Sequence, residues 1–312
     1  MSLLVLLAAL PAVYWAQPVE TAPAVRQAGI ERLGVPPQAA AAWRSAGFTV
    51  EPFGEKERSA RVKLRAPGVA GRAEVASATN RPWIDANGWR FLRAGGGRYW
   101  CDVPARQTAL AAAEAFVYGA DEVLAIDPAG LEDAGRMLAF LSSVPEADLP
   151  AVADVAVQDD GSPVVAEVLN LMARRNLLFK VVKDAAPDVA LNVRIGSKEF
   201  PRKDAQNPEA FALSVRRALT AERRSLRLYG SEVVLGRLAR DASRARLHLL
   251  NYGGRPIEGL RVRLLGGWAP GEALVFGVGR AAVEDYAKGD VATEFSLATL
   301  GAYAVVDLLA AN

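Results

Sequence analysis

The stretch VADVAVQDDGSPVVAEVLNLMARRNLLFKVV, residues 152–182, limits the fold more than any other part of the chain. An apolar run from Val152 to Val157 gives way to a polar turn at Asp159, Asp160, Gly161 and Ser162. A helical pattern from Pro163 to Arg175 and a second apolar run from Leu178 to Val182 follow. Proline at the first helical position, behind a serine placed to cap the helix, marks the start of that helix. Two strands joined through a helix run parallel, because the crossover returns the chain to the end of the sheet where the first strand began. The segment therefore predicts a βαβ unit.

After Ser225 the pattern changes. EVVLGRLARD, RARLHLLNYG, GLRVRLLGG, ALVFGVG, ATEFSLATL and YAVVDLL are short β-like runs broken by Gly, Asp, Asn and Pro. Six such runs in succession predict an antiparallel β-sandwich. Leu247, Leu249, Val262, Leu264, Phe295 and Val305 are expected to face its core.

Upstream, VRQAGI, RLGVPP, QAAAAWRSAG and FTVEPF alternate short helices with short strands, and Gly29 and Gly47 stand where helix ends are expected. Residues 54–73 are charged and rich in small residues, which predicts a surface excursion. RFLRAGGGRYWCDVP reads as a hairpin turning at residues 95–97. A helix is expected from Thr108 to Tyr118, stopped by Gly119, then a strand from Glu122 to Ile126 and an amphipathic helix carrying Leu131, Met137, Leu138 and Leu141 on one side. With 312 residues, 51% of them hydrophobic, the chain can bury a large core in two or three domains. The expected class is α/β: a reduced β/α layer plus a flavodoxin-like βαβ unit, followed by a C-terminal antiparallel β-sandwich.

The amino terminus is apolar from Leu3 to Ala16 and carries no basic residue before Arg26. That run is shorter than the roughly 20 residues a membrane span needs. It matches the core of a secretory signal, with Ala22-Pro23-Ala24 as the cleavage pattern. It also reads as a first buried strand, Val13 to Ala16, with cleavage close to Val13. The expected domains are a signal peptide at 1–24, a β/α domain at 25–150, a flavodoxin-like segment at 151–225 and a sandwich at 226–312. Export to the periplasm or the extracellular space follows from the leader, and a cytoplasmic location from the strand reading.

Thirty-seven basic residues against 35 acidic ones leave a formal charge of +2, too little to draw the chain to nucleic acid. Arg216, Arg217, Arg223, Arg224 and Arg227 read as a solvated face paired with Glu209 and Glu222. The single Cys101 excludes an internal disulfide, and the single His248 excludes His-pair zinc sites. No nucleophile motif and no phosphate loop is present, and no cofactor or metal is expected. His248 reads as a sheet residue and Cys101 as a part-buried thiol.

RPWIDANGWRF, residues 81–91, gathers indoles, a carboxylate and an amide. An indole covers the apolar face of a pyranose, while carboxylates and amides bond its hydroxyls. Trp83, Asn87, Trp89 and Trp100 are therefore candidate sugar-binding residues; a packed corner built on Asn87-Gly88 is the other reading. Asp85 and Asp127 are the candidate catalytic pair, because each follows a short apolar run, and α/β sites assemble at the carboxyl ends of parallel strands. Asp127 also fits a turn cap with Pro128. Asp159 to Ser162 read as a helix cap rather than an anion site.

RLHLLNYGGRPIEGLRVRL together with ATEFSLATLGAYAVVDL resembles the all-β carboxy-terminal domain of many glycoside hydrolases. Residues 152–182 look like the amidotransferase-like domain that follows the barrel in the β-galactosidase class, and RPWIDANGWRF looks like a late barrel strand and loop. The resemblance implies a carbohydrate ligand and hydrolysis of glycosidic bonds by paired carboxylates. A whole (β/α)8 barrel takes about 250 residues, more than the chain has ahead of Val152. A non-catalytic module that recognises a glycan or a protein is the alternative.

Overall fold

A computed structural model describes residues 10–69 and 83–311. In chain order the first elements are β1 (Ala12–Tyr14), α1 (Ala22–Gln27), β2 (Arg32–Val35), α2 (Ala40–Ser45), β3 (Thr49–Pro52), α3 (Glu55–Ser59) and β4 (Val62–Leu64). The two-residue strands β5 (Gly68–Val69) and β6 (Ile84–Asp85), then α4 (Gly88–Arg93), β7 (Arg98–Val103), α5 (Thr108–Tyr118), β8 (Asp121–Ile126) and α6 (Leu131–Ser143) follow. These and the later elements fall into two compact units, Met1–Gly68 with Ala94–Glu146 and Val69–Arg93 with Ala147–Asn312. RPWIDANGWRF thus belongs, over its described residues, to the second unit, although it lies inside the 25–150 segment that the sequence suggests as one domain.

The first unit holds one six-stranded sheet in the order β3-β2-β1-β8-β7-β4, every pair parallel. The last strand lies beside the first, and outward from this pair the order runs forward along the chain on one side, β1-β2-β3, and backward on the other, β8-β7-β4. This is the strand order of a barrel opened between β3 and β4, not that of a doubly wound sheet. The expected reduced β/α layer is therefore present. Ala12–Tyr14 sits between β2 and β8, so the strand reading of Val13 is what the structure shows there; Met1 to Ala9 lie outside the described residues. Gly29 and Gly47 stand just past α1 and α2 with φ of 74° and 89°, the left-handed region in which glycine carries no steric penalty.

Two expectations fail in this unit. Over residues 54–69 the chain is not a plain excursion: EKERS forms α3 and VKL forms the edge strand β4, while residues 70–73 lie outside the described residues. The supposed hairpin at residues 95–97 is absent as well, because RFLR closes helix α4 and the glycines lead into β7, which pairs in parallel with β4 and β8. Alternation of apolar and polar residues cannot distinguish a six-residue amphipathic helix from a hairpin arm.

The second unit begins its sheet with β9 (Val155–Gln158), α7 (Pro163–Ala173), β10 (Phe179–Val182), β11 (Leu191–Val193) and α8 (Pro208–Leu219). The parallel order β10-β9-β11 is the 2-1-3 start of flavodoxin-like folds. Ser162 caps α7, its hydroxyl accepting from the Val165 N–H at 3.3 Å. Val155, Val157, Val165, Leu169, Met172 and Phe211 form the core of this layer.

The sandwich follows. One sheet orders β12 (Leu226–Tyr229), β15 (Ile257–Leu265), β19 (Ala292–Leu300) and β18 (Glu284–Lys288). The other orders β13 (Val234–Arg240), β14 (Arg244–Asn251), β20 (Tyr303–Ala310), β16 (Trp268–Val275) and β17 (Gly279–Ala281). Leu247, Leu249, Val262, Leu264 and Phe295 meet in its core as expected. Val305 does not: in the antiparallel register it stands opposite His248, while its neighbours Ala304 and Val306 enter the core. Val305 is still buried, at 1% exposure, so hydrophobicity could not tell its face from the next residue's.

Candidate functional site

The six-stranded sheet of the first unit has two unlike faces. Val13, Leu33, Val50, Leu64, Cys101 and Leu124 lie in register across it and are all buried. One residue out of phase, the other face carries Tyr14, Glu51, Lys63, Trp100, Asp102, Val123 and Ala125. Parallel sheets are usually apolar on both faces because helices cover both. Here Tyr14 and Val123 are buried, but Glu51, Lys63 and Asp102 are exposed and Trp100 and Ala125 half-buried, so part of the second face meets water.

Trp100 is the centre of that face. Strand β7 reads RYWCDV, and its two-residue period turns Tyr99, Cys101 and Val103 inward and leaves Trp100 and Asp102 on the polar side. Tyr14 and Phe53 pack beside it with ring centroids 5.3 Å apart. The Arg58 guanidinium, from α3, lies 4.8 Å from the Tyr14 ring centre, 5.7 Å from Phe53 and 5.3 Å from Trp100. Lys63 Nζ stands 4.6 Å over the Trp100 ring and 2.7 Å from an Asp102 carboxylate oxygen. An indole, an exposed carboxylate and an exposed ammonium are thereby held within one patch. Sequence reasoning picked out Trp100 but missed Lys63, Asp102 and Arg58; the register of VKL against RYWCDV is the signal that joins them.

Asp127 directly follows β8 in the same unit. Its N–H donates to the Val103 carbonyl at 2.9 Å, and its carboxylate accepts from the Ala129 N–H at 2.8 Å, capping the 3-10 turn at Pro128–Gly130. The capping role is filled, and the carboxylate is exposed beside it.

Asp85 stands in the second unit at the end of β6. The indole N–H of Trp83 donates to it at 3.2 Å, and both residues are half-buried. The Arg174 guanidinium lies 3.8 Å from the centre of the Trp83 ring. The structure thus joins Trp83 to Asp85 but places Asp85 and Asp127 in different units. Trp89 is corrected: it is 6% exposed, sits on α4 within the apolar cluster of Val155, Leu169 and Phe211, and is a core residue. Asn87 is buried and stands immediately before α4, where its backbone carbonyl accepts from the N–H groups of Arg90 and Phe91. Asn87-Gly88 therefore opens a helix rather than turning a hairpin.

Asp159 and Asp160 act as struts. Arg93 grips Asp159 in a two-pronged pair at 2.7 and 2.9 Å and holds its carboxyl below the usual carboxylate range, while the Ser162 side chain, then Arg202 and the Ser162 N–H, do the same for Asp160. His248 is half-buried in the sandwich with Nδ1 2.8 Å from the Tyr303 hydroxyl, and desolvation of its ring, with Arg246 and Arg237 nearby, lowers its pKa to about 3. It is the sheet residue that the sequence suggests. Cys101 is fully buried, and burial raises its pKa. Arg224 departs from the solvated face expected of the arginine cluster: it is buried and donates to the carbonyls of Arg175 and Asn176. Among the described residues, no group of three or more His, Cys, Asp or Glu is placed to hold a metal ion, and no helix is long and apolar enough to cross a membrane.

No family model and no curated protein sequence matches the chain. Solved structures do match its fold. Alpha-L-fucosidase isoenzyme 2 from Paenibacillus thiaminolyticus aligns with a TM-score of 0.51 at 11% identity, over 88% of this chain and 71% of that one. The rhamnosidase from Novosphingobium sp. PP1Y aligns with a TM-score of 0.42 at 12% identity, over 86% of this chain and 38% of that one. At such identity the likeness to the fucosidase is one of fold alone, an α/β sheet followed by antiparallel sheets.

Proposed function

We propose that this protein binds carbohydrate on the polar face of its six-stranded sheet, with Trp100 as the stacking surface and Asp102 and Lys63 as partners for hydroxyls. The observation that carries this reading is the half-buried indole of Trp100 beside the exposed Asp102–Lys63 pair, on a sheet face that a parallel sheet normally hides. A sugar must displace Lys63 from the ring and from Asp102. An exposed cation–π contact is worth about 0.5–1 kcal/mol and an exposed ion pair about 0–1 kcal/mol, so uncovering the platform costs little. The likeness of fold to a fucosidase supports the ligand class.

Hydrolysis by Asp85 and Asp127 is the second reading. The position of Asp127 just past the carboxyl end of β8 favours it, since α/β sites gather there; Asp85 closes β6, a strand of a separate two-stranded sheet, and enters this reading on the sequence pattern. Trp83, hydrogen-bonded to Asp85, would then contact substrate. A place within the β-galactosidase class belongs to this reading and rests on the sequence resemblance. Export is part of the proposal too; because β1 is an inner strand, cleavage that preserves the sheet falls before Ala12.

A glycan array followed by calorimetric titration of the hits tests binding, and release of nitrophenol from aryl glycosides tests hydrolysis. Asp85→Asn and Asp127→Asn should each abolish any turnover if the pair is catalytic. Turnover unchanged in both rules out the pair.

A further inference from the structure

The second unit contains a cavity of about 340 Å³ that none of the chemistry above uses. Asp154, Lys180 and Ala190 line it from the amino ends of β9, β10 and β11; Ser225, Arg240 and Leu265 line it from the sandwich; Arg223 and Asp188 complete the charged lining. Open α/β sheets usually bind ligands at the other end, beyond the carboxyl ends of the strands. In this sheet the Arg93–Asp159 and Arg202–Asp160 pairs occupy the loop at the carboxyl end of β9. The cavity wall at residues 151–153 is fixed by strand pairing, with Ala151 bridged to Ala239, the Val152 N–H donating to the Leu238 carbonyl at 2.8 Å, and the Arg240 N–H donating to Pro150 at 3.0 Å.

The lining holds unused hydrogen-bonding capacity of both kinds. The Asp154 carboxylate, 6% exposed, accepts from the Ser225 N–H at 3.0 Å and the Ser225 hydroxyl at 2.6 Å, one bond to each oxygen. A carboxylate offers about four acceptor positions, so two remain. Arg240 donates from Nη1 to the Leu265 carbonyl at 3.2 Å, and Arg223 donates to the Ala190 carbonyl. Each guanidinium has five N–H groups, so most of its donors are left over. Lys180 bonds both oxygens of Asp188 at 2.7 Å, which neutralises that pair. What remains is two guanidiniums against one carboxylate, a surplus of positive charge beside acceptors suited to hydroxyls.

We propose that this cavity binds a hexuronate, a monosaccharide carrying one carboxylate. Its carboxylate pairs with Arg223 and Arg240, the groups with surplus donors, and its hydroxyls donate to Asp154. The volume lies at the small end of the range of about 300–1,000 Å³ for small-molecule sites, as fits one sugar ring. The site is separate from the sheet face around Trp100 and stands or falls independently of it.

Calorimetry on the full chain with glucuronate and galacturonate tests the proposal, with galactose and lactate as controls for charge and for the sugar ring. Arg223→Gln, at an exposed residue, and Arg240→Gln are the variants, each checked for a native circular dichroism spectrum. The expected result is saturable uronate binding, with galactose and lactate weaker by about tenfold or more and each variant losing about tenfold, the loss that goes with one hydrogen bond to a charged group. Absence of saturation by either uronate, equal binding of galactose, or full affinity retained in both arginine variants overturns it.

Discussion

Glu122 provides a direct test of the buried face of the six-stranded sheet. It lies on β8 and is 3% exposed, and its Oε1 has no hydrogen-bond partner. Burial, reinforced by the nearby charge of Glu114, raises its pKa from 4.5 to about 8. A raised carboxyl pKa means that the folded state holds a proton which the unfolded chain gives up. The stability this proton brings is fully present below pH 4.5 and is lost as pH rises to about 8. At 1.36 kcal/mol per unit, the whole shift amounts to about 5 kcal/mol, a large part of the stability of a typical domain. Glu122→Gln keeps the shape and removes the charge, so it should match the wild type near pH 5 and exceed it progressively toward pH 9. Urea unfolding followed by tryptophan fluorescence across that range measures the difference. A wild-type stability that does not fall with rising pH, or a variant with the same slope as the wild type, would refute the reasoning.

Two further substitutions test the packing. Trp89→Ala should cost about 3–5 kcal/mol, because it empties a core position on α4, and should leave glycan affinity of the folded protein unchanged; denaturant titration and calorimetry report the two effects separately. Gly135→Ala should cost about 1–3 kcal/mol, because the added Cβ would sit 1.9 Å from the Ala28 carbonyl oxygen and α6 must move to admit it. An unchanged thermal midpoint there would contradict the close approach of α6 to the end of α1.

The parts of the fold legible in the sequence are those where one face alone is buried or a cap is explicit. Leu247 and Leu249 alternate with polar partners on β14, and Ser162-Pro163 announces α7, so both were placed correctly. YAVVDLL gives no such signal: Tyr303, Ala304, Val305 and Val306 are all buried, and a strand covered on both faces carries no periodicity to fix its register. At Trp89 the sequence leaves a sugar-binding face and a packed corner open, because α4 has only six residues, under two turns, too few for its apolar side to show a helical period. The candidate site was half legible. Trp100 stands out as an aromatic in β7, but its partners Lys63 and Arg58 come from a stretch whose charge suggested a loop. Only the parallel pairing of β4 with β7 brings them to the indole.

The most direct test of carbohydrate recognition at this sheet face is the affinity of the best array-selected glycan for wild type and for Trp100→Ala, measured by calorimetry on proteins of matched thermal midpoint. Stacking of a sugar on the indole predicts a loss of about tenfold or more in the variant, equivalent to about 1.4 kcal/mol. Equal affinity in the two proteins would place the sugar elsewhere and contradict the account.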